Sequence, residues 1–478
     1  MTLFNGIPWE LIWFLLYSSG AIWAVLHAVL HAQDARAAWG WMAICLLFPF
    51  IGAVLYYLLG VNRIRKHTQR PSFGGLRASS IASSDALLPE DQLNDTPLRS
   101  LARTGAAMGG SPLVAGNRFR PLINGEEAYP AMLEAIANAR HSIDLMAYIF
   151  LADGLGRQFI EALAAAKQRG VMVRVLLDGV SDLVYWPRAS WRLRRAKLRW
   201  AAFNPIRFWP PMLHVNLRNH RKLLVVDGER AFSGGMNIAD YHHVTRQSKK
   251  RVVDLHFEIE GPVVEQLAAV FAADWVFTTG EDEHVNRALT PLATTGSGIS
   301  RVLVDGPDDQ RDPITLVLLA AMASATRRIC IVTPYFLPPQ TLMSAMQSAA
   351  LRGVKVDVLL PHRSNHRSVD RATRHLLGPL LENGVQVAQQ PAPFAHTKLF
   401  LVDGRYVQFG SANLDARSLR LNFEMNVEAF DDVLATDLEA YFDRLLANSM
   451  PVSLARLRSR TLPERLRDAF FWLFSHYL

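Results

Sequence analysis

The sequence predicts an α/β protein built from one duplicated unit and preceded by two membrane helices. Three observations carry that prediction: two apolar runs of spanning length near the N-terminus, an order of helices and strands that occurs twice, and a His-x-Lys-x-x-x-x-Asp segment in each copy. At 478 residues, 50% hydrophobic and 20% charged, the chain can fill two cores, which excludes a small cross-linked scaffold and a disordered protein. Fifty-one Lys and Arg against 43 Asp and Glu leave +8, which suits anionic partners such as phospholipid or nucleic acid without choosing between them. Cys45 and Cys330 are too few for a thiolate cluster or a disulfide framework.

Residues 11–30 and 37–59 are the two apolar runs, joined by the short polar His31-Ala-Gln-Asp-Ala-Arg36. A signal peptide is disfavoured by the missing basic start and the second run, and a soluble hairpin by the uniform apolarity. Arg63, Arg65, Lys66 and Arg70 follow the second run, so the N-terminus and everything after residue 60 are expected in the cytoplasm, with 1–60 as a multi-pass anchor. Residues 61–116, rich in Ser, Gly and Pro, read as a basic linker.

Beyond the linker, 132–139 and 158–169 read as helices and 142–150 and 171–177 as strands. The order returns at 302–306, 316–325, 328–333, 340–352 and 354–360. Ala166-Lys-Gln-Arg-Gly-Val-Met-Val-Arg-Val-Leu-Leu177 and Ala349-Ala-Leu-Arg-Gly-Val-Lys-Val-Asp-Val-Leu-Leu360 agree almost position by position. The copies are expected at 117–292 and 293–450, followed by a C-terminal segment, 451–478.

The chemistry lies in a second pair of matches. One copy holds His220, Lys222, Asp227 and Asn237; the other holds His396, Lys398, Asp403 and Asn413, at the same spacing. Side chains alternate along a strand, so His and Lys two apart face one side and can address one anion. Asp-Gly then closes a tight turn, and the returning strand delivers the Asn.

These segments resemble the paired signature of the phospholipase D superfamily, and the chain over about residues 9–450 resembles bacterial cardiolipin synthases. The resemblance also rests on Asp254-Leu-His-Phe-Glu-Ile-Glu-Gly-Pro262, Ala273-Asp-Trp275, Thr333-Pro-Tyr-Phe336, Gly410-Ser-Ala-Asn-Leu-Asp-Ala-Arg-Ser418 and Leu421-Asn-Phe-Glu424. It implies phospholipase D-like αβα units packed as a pseudo-twofold bilobed body. It also implies a phosphatidyltransferase of the inner membrane that condenses two phosphatidylglycerol molecules into cardiolipin and glycerol.

Displacement at a phosphodiester needs a nucleophile, an acid for the leaving alkoxide and positive charge around the developing trigonal bipyramid. The two histidines supply the first two, and Lys222 and Lys398, assisted by Asn237 and Asn413, the third. Neither motif has the carboxylate cluster of a two-metal site, so no metal or other cofactor is expected. The sequence is nearly symmetric between the histidines; the resemblance gives His220 the attacking role and His396 the acid and then base role. Asp254 and Glu424 occupy matching places and are expected to hold the far ring nitrogens. Asp227 and Asp403 belong to the motif and are grouped with its catalytic residues, although turn geometry and local salt bridges suit them better than proton transfer.

Other readings stay open at this stage. Water in place of the second lipid gives a hydrolase, phosphatidylethanolamine in place of the first gives another donor, and a scaffold on a retained fold needs no chemistry at all. No nucleic-acid partner is expected, and the oligomeric state is left open. The Arg- and Trp-rich 183–200 fits a membrane interface or a solvated hairpin, and the aromatic 462–478 fits a bilayer surface or a groove in the body. His242, His243, His362 and His366 are expected at the surface or a pocket rim.

Overall fold

The computed structural model describes residues 9–31, 35–57, 87–93, 95–208, 211–212, 217–246, 250–281, 293–307 and 312–475. The chain divides into two compact units, Met1–Arg70 and Pro71–Leu478.

The first unit contains helices Trp9–His31, Ala35–Leu47 and Pro49–Leu55. Ala24, Ala28 and Cys45 are small enough to let them close around Tyr56, whose hydroxyl lies 2.8 Å from His27 Nδ1. The large side chains Leu26, Leu30, Trp39, Leu47 and Phe50 point outward and are exposed. The second apolar run is not one helix. Phe48 leaves the helical region at φ −133°, and Pro49, lacking an N–H, starts a new helix. Among the described residues no helix is long and apolar enough to cross a membrane; residues 58–59 of that run lie outside them.

In the second unit the first repeat supplies β1 (Val114–Ile123), β2 (Ser142–Ala147), β3 (Met172–Asp178), β4 (Arg199–Phe203), β5 (Leu223–Val226), β6 (Arg230–Gly234) and β7 (Leu255–Glu260). The second supplies β8 (Gly298–Asp305), β9 (Arg328–Val332), β10 (Lys355–Pro361), β11 (Gln386–Gln390), β12 (Leu399–Val402), β13 (Tyr406–Gly410) and β14 (Glu424–Phe430), with β15 (Met450–Pro451) on the edge. All join one sheet in the order β15-β11-β10-β9-β12-β13-β14-β8-β1-β7-β6-β5-β2-β3-β4. From the central antiparallel pair β1 and β8, where Val114 faces Ser300, the two halves run outward through equivalent strands. In each, three strands are parallel (β2, β3, β4; β9, β10, β11) and the motif hairpin is antiparallel.

The parallel strands are rich in Val, Leu and Ile because helices cover both faces. One core gathers Phe159, Leu163, Val175 and Phe232 of the first repeat, another Leu318, Met346, Val358 and Phe400 of the second. Part of the expected linker is ordered differently from its composition. Helix Thr96–Ala107 places Leu101 and Ala102 in the second core, and Arg301 donates to the Ala102 carbonyl. Residues 61–86 and 94 of that stretch lie outside the described ones.

The motif aspartates are explained at this level. Asp227 and Gly228 have φ of 53° and 61°, Asp403 and Gly404 of 55° and 65°, the double left-handed turn for which Asp-Gly is suited. Asp227 accepts the main-chain N–H groups of Arg140, His141 and Ser142 at 2.7–2.9 Å. Asp403 accepts those of Thr326, Arg327 and Arg328 at 2.7–2.8 Å. The partners are thus amides at the start of β2 and β9, not cations. Because these N–H groups favour the ionised carboxyl, both aspartates are held below the ordinary value although burial opposes it. Asp403→Ala should lower stability by about 2 kcal/mol, since three amides lose a charged acceptor. In wild type this contribution is present above the ordinary carboxyl pKa and is lost as pH falls through the depressed one. Thermal melts of the variant and wild type between pH 3 and 7 measure both effects; a variant as stable as wild type would refute the role.

Candidate active site

The chain leading to each histidine is zipped to the other repeat. Asn219 bridges to Phe423, and Phe394 and Ala395 pair with Val252 and Val253. The His220 N–H donates to the Phe423 carbonyl at 3.0 Å and the His396 N–H to Val253 at 2.8 Å. That pairing delivers a carboxylate across the repeat boundary. His220 Nδ1 lies 3.1 Å from Glu424 Oε2, and His396 Nδ1 lies 2.8 Å from Asp254 Oδ2. The carboxylates are therefore exchanged: each histidine is held by the copy it does not belong to.

Each carboxylate is itself fixed. Ser411 Oγ donates to Glu424 Oε2 at 2.5 Å and Asn422 Nδ2 to Oε1 at 3.2 Å, while the Leu255 N–H donates to Asp254 Oδ1 at 2.8 Å. Gly235 has no side chain because a Cβ there would press on the Asp254 carboxylate. With a carboxylate on Nδ1, the proton of a neutral ring sits on Nδ1 and the Nε2 lone pair faces the site.

Lys222 and Lys398 return to the carbonyls of their own histidines at 2.6 and 2.7 Å. Lys398 Nζ also lies against the His396 ring, 3.0 Å from both Nδ1 and Nε2, whereas Lys222 Nζ sits over the Tyr148 ring, 5.1 Å from its centroid. Among the described residues nothing bonds His220 Nε2. Asn237 accepts the Ile149 N–H at 3.2 Å and donates to Tyr241 at 3.2 Å; Asn413 donates to Ser418 Oγ at 3.0 Å. Each amide retains a second N–H.

Burial dominates the electrostatics. It pulls His220 down to about 4 and His396 down to about 3, assisted by the neighbouring lysine charges, so both imidazoles are neutral near pH 7. Burial, assisted by the Lys398 charge, lowers Lys222 to about 7; burial lowers Lys398 to about 8. Burial also pushes the carboxyls up, but the histidine and lysine partners outweigh it, holding Asp254 at about 2 and Glu424 below its ordinary value. Two ionised carboxylates and two weakened ammonium groups thus share one buried pocket, an arrangement that an entering anion relieves on the lysine side.

Eight of the ten site residues expected from sequence meet here. Asp227 and Asp403 do not; they stand at the far end of β5 and β12, where they order backbone, and that corrects their grouping with the catalytic residues. His242 is not at the surface either. It is fully buried and accepts the Asn237 N–H at 3.2 Å. His243 is partly exposed, His362 bonds Gln389, and only His366 approaches the rim, 5.6 Å from Tyr335.

Several residues escaped the sequence reading. Tyr148 stands edge-on to His220 at 4.7 Å, and Tyr335 edge-on to His396 at 6.3 Å. They follow β2 and β9 at equivalent places, so aligning the copies would have found them. Ser411 and Arg417 lie within the matched Gly410–Ser418 stretch; the Arg417 charge reaches Tyr148 and Tyr185 of one repeat and Asp415 of the other. Arg221, between His220 and Lys222, forks onto buried Asp274 at 2.6 and 2.7 Å and donates to the Glu424 carbonyl at 3.1 Å. Asp274 stands within the matched Ala273-Asp-Trp275, but nothing in the sequence paired it with Arg221.

Two histidine–lysine strands in a duplicated α/β unit, each imidazole braced by the other copy's carboxylate, define a phospholipase D-like protein. The family model described as "Cardiolipin synthase, PLD-like domain" matches residues 132–275 and 318–446, and the chain belongs to that family. A second model, "Phospholipase_D-nuclease N-terminal", matches residues 21–60. Cardiolipin synthase A of Pseudomonas entomophila is 32% identical over 90% of this chain and 91% of its own. Cardiolipin synthase 1 of Bacillus cereus is 29% identical over 96% of this chain and 94% of its own. The solved structure of phosphatidylserine synthase from Haemophilus influenzae shares the fold, with TM-score 0.61 at 15% identity over 79% of this chain and 100% of that one.

The exchanged carboxylates predict distinct spectra. Glu424→Gln should abolish the low-field Nδ1–H resonance of His220 and leave that of His396, and Asp254→Asn should do the reverse, each with about a 10–100-fold loss of turnover. Carboxylates serving their own repeat would give the opposite pattern. The lysines predict a pH limb. Below about 7 and 8 respectively Lys222 and Lys398 carry charge, and above those values they lose it, so kcat/KM for an anionic phosphodiester should fall as pH rises through this window. A profile flat to pH 9 would contradict it.

Proposed function

We propose that the protein is a cardiolipin synthase acting on two molecules of phosphatidylglycerol. The observation that carries this reading is the pair of exchanged histidine–carboxylate contacts with His220 Nε2 left unbonded. His220 Nε2 attacks phosphorus, the P–N bond forms, and the P–O bond to the terminal glycerol breaks. The departing alkoxide takes a proton from His396 Nε2. His396 then accepts the proton of the second phosphatidylglycerol hydroxyl, the new P–O bond forms and the P–N bond breaks, giving cardiolipin. Lys222 and Lys398 face the non-bridging oxygens throughout.

The assignment of His220 as nucleophile is supported by an asymmetry at the rings: Lys398 Nζ lies against the His396 ring, 3.0 Å from both Nδ1 and Nε2, while Lys222 leans onto Tyr148. Beyond burial, the Lys398 charge against the His396 ring lowers that ring's basicity. His396 must be protonated to act as acid, and the phosphodiester charge, by offsetting the lysines, raises its pKa when substrate enters.

In this reading the N-terminal unit is the anchor, crossing the bacterial inner membrane more than once. Its outward Leu26, Leu30, Trp39, Leu47 and Phe50 face lipid, and the break at Pro49 is tolerated where neighbouring helices cover the freed backbone groups. The basic residues at 63–70 support a cytoplasmic body. The repeats at 117–292 and 293–450 form that body.

Reconstitution with labelled phosphatidylglycerol should yield cardiolipin and glycerol together, and both products should vanish in His396→Ala and His220→Ala. Brief mixing of His396→Ala with substrate should leave no label on protein, because the leaving alkoxide lacks its acid. Phosphatidic acid in place of cardiolipin would establish a hydrolase.

A further inference from the structure

The C-terminal helix Leu462–Leu473 is fixed by one face and bare on the other. On the docked face Phe471 and Trp472 pack against Leu337, Val369 and Ala372, with Trp472 4.8 Å from the His375 ring and the Arg371 guanidinium 4.9 Å above Phe471. Asp468, 1% exposed, accepts from Arg460 at 2.6 Å and Arg467 at 3.0 Å. On the opposite face Leu462, Leu466, Phe470, Leu473 and Phe474 follow the helical repeat and are 65%, 61%, 56%, 68% and 48% exposed. Exposed Arg456 and Arg465 flank them, together with Arg458 and Arg467, which are paired with Glu382 at 2.7 Å and Asp468 at 3.0 Å. The helix's two acids are consumed internally, Glu464 by the Thr461 cap and Asp468 by its arginines.

The first repeat carries a counterpart. Short helices Gly179–Val184 and Ala189–Arg195 follow β3 as helix Arg367–Glu382, on which the C-terminal helix lies, follows β10. They expose Leu183, Val184, Tyr185, Trp186 and Trp191, with the two indoles edge-to-face at 4.9 Å and Arg188 5.5 Å above Trp191. Both patches lie at the carboxyl ends of parallel strands, the ends at which Tyr148 and Tyr335 meet the histidines. Tyr335 itself belongs to the apolar cluster that receives Phe471 and Trp472.

We infer that these two patches, with the C-terminal helix as the larger, form a contact with the surface of an anionic phospholipid bilayer, additional to the N-terminal unit, and hold the mouth of the site at headgroup depth. Aliphatic and aromatic side chains flanked by Arg456 and Arg465, which make no ion pair among the described residues, complement phosphate-bearing lipid. A second copy of the chain would instead set arginines against arginines. The inference rests on the reading of the site as one that takes lipid substrates.

The test uses the full chain in phosphatidylglycerol bilayers. Cys45 and Cys330 are buried, so a bimane attached through Phe470→Cys reports on this helix alone. Phosphatidylglycerol brominated on its acyl chains should quench it at least about twofold relative to the unbrominated lipid, the depth expected of an interfacial helix. Absence of extra quenching would overturn the contact, as would quenching replaced by concentration-dependent dimer formation. The double variant Leu466→Asp with Phe470→Asp should lose about tenfold in turnover of phosphatidylglycerol in bilayers yet stay within about twofold on the same lipid in detergent micelles. Equal loss in both would reassign the face to supporting the body. Quenching in the labelled Phe470→Cys protein, alongside a wild-type protein that turns over no phospholipid, would support the contact and sink the lipid-transfer reading, so the two fail separately.

Discussion

The imidazole–carboxylate contact across the repeat boundary is the constraint on which the rest depends. Neither copy can orient its own histidine: His220 needs Glu424 and His396 needs Asp254. The continuous sheet follows from that need, because β1 and β8 must pair at the centre for each histidine to reach the strand that begins at the other copy's carboxylate. Burying two carboxylates with two lysines costs desolvation, and the cost is met only when every partner is present. The polar residues around them, Ser411, Asn422 and the Leu255 amide, supply the remaining hydrogen bonds.

Within each motif hairpin the two ends perform different work. The His and Lys end faces the pocket, while four residues of buried strand away the Asp-Gly turn ties the hairpin to the start of its neighbour. An eight-residue pattern that looks like one catalytic unit is thus a catalytic pair joined to a structural clamp. The clamp fixes where β5 lies against β2, and hence where Tyr148, just beyond β2, meets His220.

Duplication leaves an approximate symmetry that the chemistry breaks. Arg221 and Asp274 form a buried ion pair beside His220, whereas at the equivalent place Thr397 bonds Tyr441. The charged pair also grips the Glu424 and Asp305 carbonyls, so the first histidine is braced by more of the second repeat than the second histidine is by the first. Lys398 rests against its histidine's ring, whereas Lys222 leans onto Tyr148. Unequal surroundings are what two histidines with unequal tasks require.

The sequence by itself determined the α/β class, the duplication, the strand and helix order, and the identity of the histidines, lysines, asparagines and bracing carboxylates. These are local: period-two alternation and apolar runs report on burial, and a motif repeated at fixed spacing reports on one strand and one turn. Only the tertiary structure decided that the carboxylates are exchanged, because spacing along the chain carries no record of which copy a strand end will meet. It likewise moved Asp227 and Asp403 out of the pocket, buried His242, drew helix Thr96–Ala107 into the second core and split the second apolar run at Pro49. It also gave the C-terminal helix two faces where composition allowed only one reading or the other. In each case the deciding quantity is which distant residue comes to lie within a few ångströms, and packing sets that, not sequence order.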